Sequence, residues 1–338
     1  MSSETVAADA VPEPADHEPG IEKQDFNVLV WMSQQGIFVF TTVLLLFAAI
    51  FVDGFASVAN ITDVFNRAAP IGIVAVGMTF VVISGNYLDL SVVAQVATAA
   101  VVLIGVSNHH GIPLAMALAL VIALTYALVN GVAVGVFKAN AVIITLSTTF
   151  MGLGILRWLS GGSIYFGPDD GLIRSFGTSE IGPFPLSMIV LIGITVVLAF
   201  VLDRTTFGFV IRSFGSNRDA TRLAGVSTAW VVIGAFGISA LGAMLGGFVL
   251  AAFSNTAVSA MSSGMDFEAL AAIIVGGTSV FGGRGSVWRT LLGVVFVSAL
   301  TNMMVLSGYG FGYQQMAIGA LIVFAVSVDA LARRATRT

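Results

Sequence analysis

Cysteine is absent from all 338 residues, which removes disulfides, thiolate metal sites and thiol redox chemistry together. Lysine is nearly absent too, with only Lys23 and Lys138. Neither stands in a G-x-x-x-x-G-K-[ST] loop, so nothing here cradles the phosphates of a nucleotide, and any ATP hydrolysis belongs to another subunit. His109 and His110 adjoin each other without further His, Cys or carboxylates nearby, so no metal site is expected. Charged residues make up only 9% of the chain, and the net charge of −4 offers nothing to nucleic acid.

What the chain has in quantity is apolar surface. Hydrophobic residues reach 57% and the mean hydropathy is +0.99, values that exclude a soluble domain and imply a polytopic membrane protein. The apolar runs continue without strict alternation, so they read as helices and not as barrel strands. Thirty-eight glycines suit helices that approach closely in a membrane. Runs near the ~20 residues that a crossing needs fall at 36–52, 68–85, 88–106, 112–136, 141–159, 186–202, 229–253, 268–282, 287–306 and 312–331. The expected fold is an all-α polytopic membrane protein of about ten transmembrane helices, the eighth being short and Gly-rich enough to be broken.

Residues 1–35 are acidic, with Glu4, Asp9, Glu13, Asp16, Glu18, Glu22 and Asp25 against Lys23, and read as a disordered tail and not a cleavable signal. Residues 36–332 form the membrane domain, and 333–338 a short basic end. With ten spans both termini share a side. That side carries Lys23, Lys138, Arg204, Arg212, Arg218, Arg222, Arg284, Arg289, Arg333, Arg334 and Arg337, leaving Arg67, Arg157 and Arg174 opposite, which puts both termini in the cytoplasm. The longest outer segment, Ser160 to Pro185, has the turn chemistry of a loop and room for short interfacial helices.

The longest clearly polar interval inside the membrane domain is 203–228, with four arginines. Within it Ala220, Leu223 and Ala224 recur at i, i+3, i+4 and would give a short helix one small apolar face, flanked by Asp219 and Arg222 and closed by Gly225 as a C-cap. Along the seventh span Ala235, Ser239, Ala243 and Gly247 repeat every four residues beside Gly242-x-x-x-Gly246 and form a helix-packing face, within the chain or across a dimer.

Four blocks in order carry a resemblance. Gly77-Met78-Thr79-Phe80-Val81-Val82-Ile83-Ser84-Gly85 followed by Leu88-Asp89-Leu90-Ser91 is the first, and Asn130-Gly131 with Ile143-Ile144-Thr145-Leu146 the second. Phe207-Gly208 through Gly225 is the third, and Gly276-Gly277-Thr278-Ser279 with Gly282-Gly283-Arg284-Gly285 the fourth. Together, from about Asn60 to Arg334, they resemble permease subunits of ribose-type ATP-binding-cassette sugar importers, with a type II-importer-like architecture. Val93 replaces the usual Gly after DLSV, Asn86-Tyr87 replaces a compact Gly pair, and Asn140-Ala141 stand where Pro is common.

The resemblance implies that Asp219, Ala220, Thr221, Arg222, Leu223 and Gly225 couple to an ATPase subunit, which binds ATP and Mg; this chain itself holds no cofactor and is not an enzyme. It implies a periplasmic sugar-binding protein, a second permease copy (homodimer or close paralogue) and membrane lipid as partners, at the bacterial inner membrane. It places translocation or gating at Asn86, Asp89, Ser91, Asn130, Thr145, Gly276, Gly277, Thr278 and Ser279. Asp89 either caps the third span or bonds a sugar hydroxyl. A self-sufficient secondary transporter or channel is the alternative, but such proteins couple through intramembrane carboxylates, and Asp89 and Glu268 are the only nearby candidates.

Overall fold

The computed structural model describes residues 28–85, 88–182 and 184–335, and the apolar runs within them are helical. The first half holds α1 (Val28–Phe51), α2 (Val58–Ile83), α3 (Val92–His110), α4 (Ile112–Gly135) and α5 (Ala141–Ser160). An outer segment follows with β1 (Tyr165–Phe166), α6 (Leu172–Thr178), β2 (Glu180–Ile181) and β3 (Phe184–Pro185). Then come α7 (Leu186–Arg204), α8 (Thr206–Ser216), α9 (Arg218–Leu223), α10 (Thr228–Ser254), β4 (Thr256–Ala257), α11 (Met265–Val275), α12 (Val287–Leu306) and α13 (Phe311–Ala335). Antiparallel pairs β1–β4 and β2–β3 tie the outer segment down.

Local chemistry sets the helix ends. Ser57 accepts from the Asn60 N–H to start α2, Asn140 from the Val142 and Ile143 N–H groups to start α5, and Thr205 from the Gly208 N–H to start α8. Gly161, left-handed at φ 59°, closes α5.

Helix α10 runs through the middle, against α2, α3 and α4. Its small residues permit this: a Cβ on Gly242 would stand 3.2 Å from the Gly77 Cα and 3.0 Å from the Ile73 carbonyl oxygen. Ala235, Ser239, Ala243 and Gly247 are all buried, and Gly247 lies against Val96 of α3. The four-residue repeat is therefore a packing face within the chain. It lets backbones meet where hydrophobic burial between helices drives little in a membrane.

Chain ends and turns segregate to two faces. At one lie the α2 C-terminus, residues 136–140, helices α8 and α9, and the turn 276–286. Gly283 N–H donates to the Ile83 carbonyl at 2.9 Å and Lys138 Nζ to Thr228 Oγ1 at 3.3 Å. The C-terminal part of α13 reaches the same face, where Ser279 Oγ donates to Asp329 at 2.7 Å. At the other face Asn108 Nδ2 donates to the Phe166 carbonyl. Lys138, Arg204, Arg212, Arg218, Arg222, Arg284 and Arg289 sit toward the first face; Arg67, paired with Asp63 at 2.7 Å, Arg157 and Arg174 sit toward the second.

Among the described residues eight helices are long and apolar enough to cross a membrane: α2, α3, α4, α5, α7, α10, α12 and α13. The 268–282 run breaks, as its glycines imply: α11 has 11 residues, about 16 Å of helix, and stops because Gly276 caps it and Gly277 turns left-handed at φ 80°. One expected span differs. The third span begins at Val92 and not at 88, because Asp89 bonds back to Ser91 and holds 88–91 outside the helix. Helix α1 begins at Val28, inside the stretch read as tail; residues 1–27 and 336–338 lie outside the described residues.

Candidate functional site

Two interruptions of helix meet inside the bundle. After α2 the chain turns at Ser84-Gly85 and re-enters through 88–91 before α3 starts; after α10 it passes β4 and turns through 258–264 before α11 starts. Ser262 Oγ donates to the Val93 carbonyl at 2.8 Å and joins the two.

A polar network fills the first interruption. Asp89 is fully buried. Its Oδ1 accepts from the Ser91 N–H at 3.1 Å and from Ser91 Oγ, and its Oδ2 from Ser239 Oγ of α10 at 2.7 Å. Ser91 Oγ in turn accepts from Asn130 Nδ2 of α4 at 2.8 Å and from Gln95 Nε2 at 2.7 Å. Asn130 Oδ1 accepts from Thr148 Oγ1 of α5 at 3.0 Å. Thr145 donates to the Leu88 carbonyl and Thr149 to the Leu90 carbonyl, at 3.3 and 2.8 Å. Ser239 is the twelfth residue of α10, so the carboxylate lies about 16 Å along that helix. Of the expected pathway residues, Asp89, Ser91, Asn130 and Thr145 thus come together; Asn86 lies outside the described residues. Asp89 serves the entry to α3 by accepting the Ser91 N–H, and it also ties that entry to α10, which no local capping pattern contains.

The polar loop is two helices. α8 buries Gly208, Ile211 and Phe214. α9 is capped by Asn217, whose side chain accepts from the Ala220 N–H at 2.9 Å. Ala220, Leu223 and Ala224 are exposed, Leu223 to 88%, as are Asp219 and Arg222; Thr221 points inward and donates to the Asn217 carbonyl at 2.8 Å. Gly225 follows at φ 82°. α8 and α9 bear on the bundle through glycine: a Cβ on Gly215 would collide with the Ile83 carbonyl, and one on Gly282 with Gly85. Arg218 Nη2 donates to the Gly85 carbonyl. The end of α2, the end of α8 and the turn after α11 are therefore one backbone-to-backbone knot.

Gly276, Gly277, Thr278 and Ser279 lie apart from the Asp89 network, in that turn. The Gly276 carbonyl accepts from Arg289 Nε at 3.2 Å. Gly277, Thr278 and Ser279 line a cavity of about 500 Å³ between α1, α11, α12 and α13. Gln95, Thr148, Thr149, Asn217, Arg218 and Ser239 belong to these arrangements without having been singled out for them. Asn217 was findable as a capping residue before an apolar turn; the others depend on contacts between distant segments. No cluster of three or more metal-ligating side chains occurs among the described residues.

Residues 60–326 match the family model described as branched-chain amino acid transport system / permease component. The chain is 30% identical over 312 residues to the ribose import permease protein RbsC of Haemophilus influenzae, covering 91% of this chain and 96% of that one. It is 29% identical over 320 residues to the L-arabinose transport system permease protein AraH of Escherichia coli, covering 94% and 97%. The galactofuranose transporter permease protein YtfT of Escherichia coli is 30% identical over 276 residues, covering 79% and 78%. No solved structure gives a significant match. The chain therefore belongs to this permease-component family, as a transport subunit of the ribose-type sugar importer branch and not an enzyme.

Proposed function

We propose that this chain forms the membrane pathway for a small sugar or polyol, delivered by a periplasmic binding protein and moved by ATPase subunits that bind ATP and Mg. The observation that carries the reading is α9. It is a capped helix whose exposed apolar face, Ala220, Leu223 and Ala224, has no partner within the described residues, and the glycine knot behind it joins the end of α8 to the end of α2 and the turn after α11. Such a face suits a groove on a soluble partner. The names of the relatives support a sugar as cargo.

In this reading α1 makes a crossing, and the segment from β4 through α11 makes another, giving ten with both termini on the arginine-rich face. That face is cytoplasmic by the positive-inside rule, and the membrane is the bacterial inner membrane. Two copies, or this chain and a paralogue, pair to enclose the path. Reconstitution tests it: vesicles holding the permease with its ATPase and binding protein should take up labelled pentose or hexose only with internal ATP. Uptake by the permease alone would replace this reading with that of a self-sufficient transporter.

A further inference from the structure

Buried polar atoms in this chain are mostly satisfied, and Gln95 holds an exception beside the Asp89 network. The residue is 4% exposed, and its Oε1 has no hydrogen-bond partner among the described residues. The amide cannot turn over to relieve this. Ser91 Oγ has one hydrogen, which goes to Asp89, and its two lone pairs are taken by Asn130 Nδ2 at 2.8 Å and Gln95 Nε2 at 2.7 Å. A flipped amide would set oxygen against oxygen with no proton left between them, so Nε2 faces Ser91 and Oε1 is turned away. A buried acceptor left so costs stability unless something donates to it.

Gln95 is also one wall of a cavity of about 10 Å³ between α3, α4 and α10. The other polar walls are Thr98 of α3 and Tyr126 of α4, and Ala119, Ala123 and Met244 are among the apolar ones. The Tyr126 side chain hydrogen-bonds Thr98. Its hydroxyl has room only because α5 carries Gly152, where a Cβ would collide with that oxygen.

We propose that this cavity holds one ordered water molecule, which donates to Gln95 Oε1 and bonds the hydroxyls of Thr98 and Tyr126. Size decides the ligand, because a volume of about 10 Å³ is close to one water-sized sphere and admits no solute. Chemistry agrees with size. The orphan atom is an acceptor in need of a donor, the two hydroxyls can give or take a proton, and a buried water is at home with about three polar partners. A bare cation would ask for about six oxygens, and the lining side chains supply three. The water carries the polar chain from Asp89 through Ser91 and Gln95 to Thr98 and Tyr126, about 10 Å along α3 from Ser91 to Thr98. It therefore joins α3 and α4 by one continuous polar seam where there would otherwise be two separate contacts, the kind of link that holds helices together in lipid.

X-ray radiolysis of the full-length protein in lipid nanodiscs tests this, because hydroxyl radicals made from a bound water oxidise the side chains beside it. Methionine oxidation is then read by mass spectrometry. Met244, 8% exposed, should oxidise several-fold faster than Met78, which is fully buried in an apolar cluster. Thr98→Val combined with Tyr126→Phe removes the hydroxyl partners and should bring Met244 down to the Met78 rate, leaving the exposed Met316 unchanged. A density map that resolves ordered water should show a peak within hydrogen-bond distance of Gln95 Oε1. Equal oxidation of Met244 and Met78 in the unaltered protein overturns the proposal, as does an empty cavity with the Tyr126 hydroxyl turned directly onto Gln95 Oε1. A Met244 rate that the double variant leaves unchanged overturns it too, since bulk water would then be the source. Both measurements on the unaltered protein stand whether or not the double variant folds. The water depends on no cargo, partner or orientation, so failure of sugar uptake leaves it untouched.

Discussion

A carboxylate 16 Å along a transmembrane helix persists because every donor around it is aimed at it. Asp89 accepts from the Ser91 N–H, the Ser91 hydroxyl and the Ser239 hydroxyl, and replacing it by an apolar residue leaves three buried donors without an acceptor, each costing about 1–3 kcal/mol. Asp89→Leu should therefore lower the thermal midpoint of the detergent-solubilised protein, followed by size-exclusion, clearly more than Ser239→Ala, which removes one bond. The double variant should be less destabilised than the sum, since the pair shares an interaction. Additive shifts would mean that Ser239 finds another acceptor and that the bond between α10 and the α3 entry carries little. Asp89 itself was legible as the acid nearest a span interior. Ser239 was legible only as a small packing residue, because its polar partner lies 150 positions away and no local pattern reports such a pair.

At the scale of one element, α9 has fewer residues than an isolated helix needs to be stable, and it stands because Asn217 caps it, Thr221 faces inward and Gly225 turns the chain away. The spacing of Ala220, Leu223 and Ala224 was readable, as was the terminal glycine; the long helix before it, α8, was not, since 203–228 reads simply as polar. Ala220→Arg and Leu223→Arg place charge on the exposed face and should leave membrane levels unchanged while abolishing co-purification of the ATPase. Gly225→Val has open space for its side chain but forces φ 82° on a β-branched residue, a backbone cost of about 1–3 kcal/mol. It should misdirect the helix and cut ATP-driven uptake severely, with Gly225→Asn milder because Asn tolerates the left-handed region. Ser163→Arg, exposed in the outer segment, is the control. Wild-type uptake by Ala220→Arg, Leu223→Arg and Gly225→Val alike would move the coupling site to the neighbouring turn 276–286.

For the whole molecule the absence of cysteine makes sidedness directly measurable. Ser216→Cys, exposed at the end of α8, should be blocked only by reagents that reach the cytoplasm, and Ser163→Cys should react with an impermeant maleimide from outside. Labelling of Ser216→Cys in intact cells would reverse the orientation. Composition alone was enough to require a helical membrane protein, because 57% hydrophobic residues in unalternating runs have no other stable arrangement in lipid. The ordered glycine-rich blocks were enough to identify the family. The glycines of 268–282 were enough to expect a broken span. Two things waited for tertiary structure. Asp89, Ser91, Asn130 and Thr145 form one network, while Gly276 to Ser279 belong to another place, because adjacency across four helices is set by how α10 packs. The larger cavity has walls from α1, α11, α12 and α13, helices far apart in the chain that only packing brings together. Local sequence specifies helices and their ends through capping, propensity and hydropathy; which of those ends meet is decided by close approach of small residues, and that is a property of pairs.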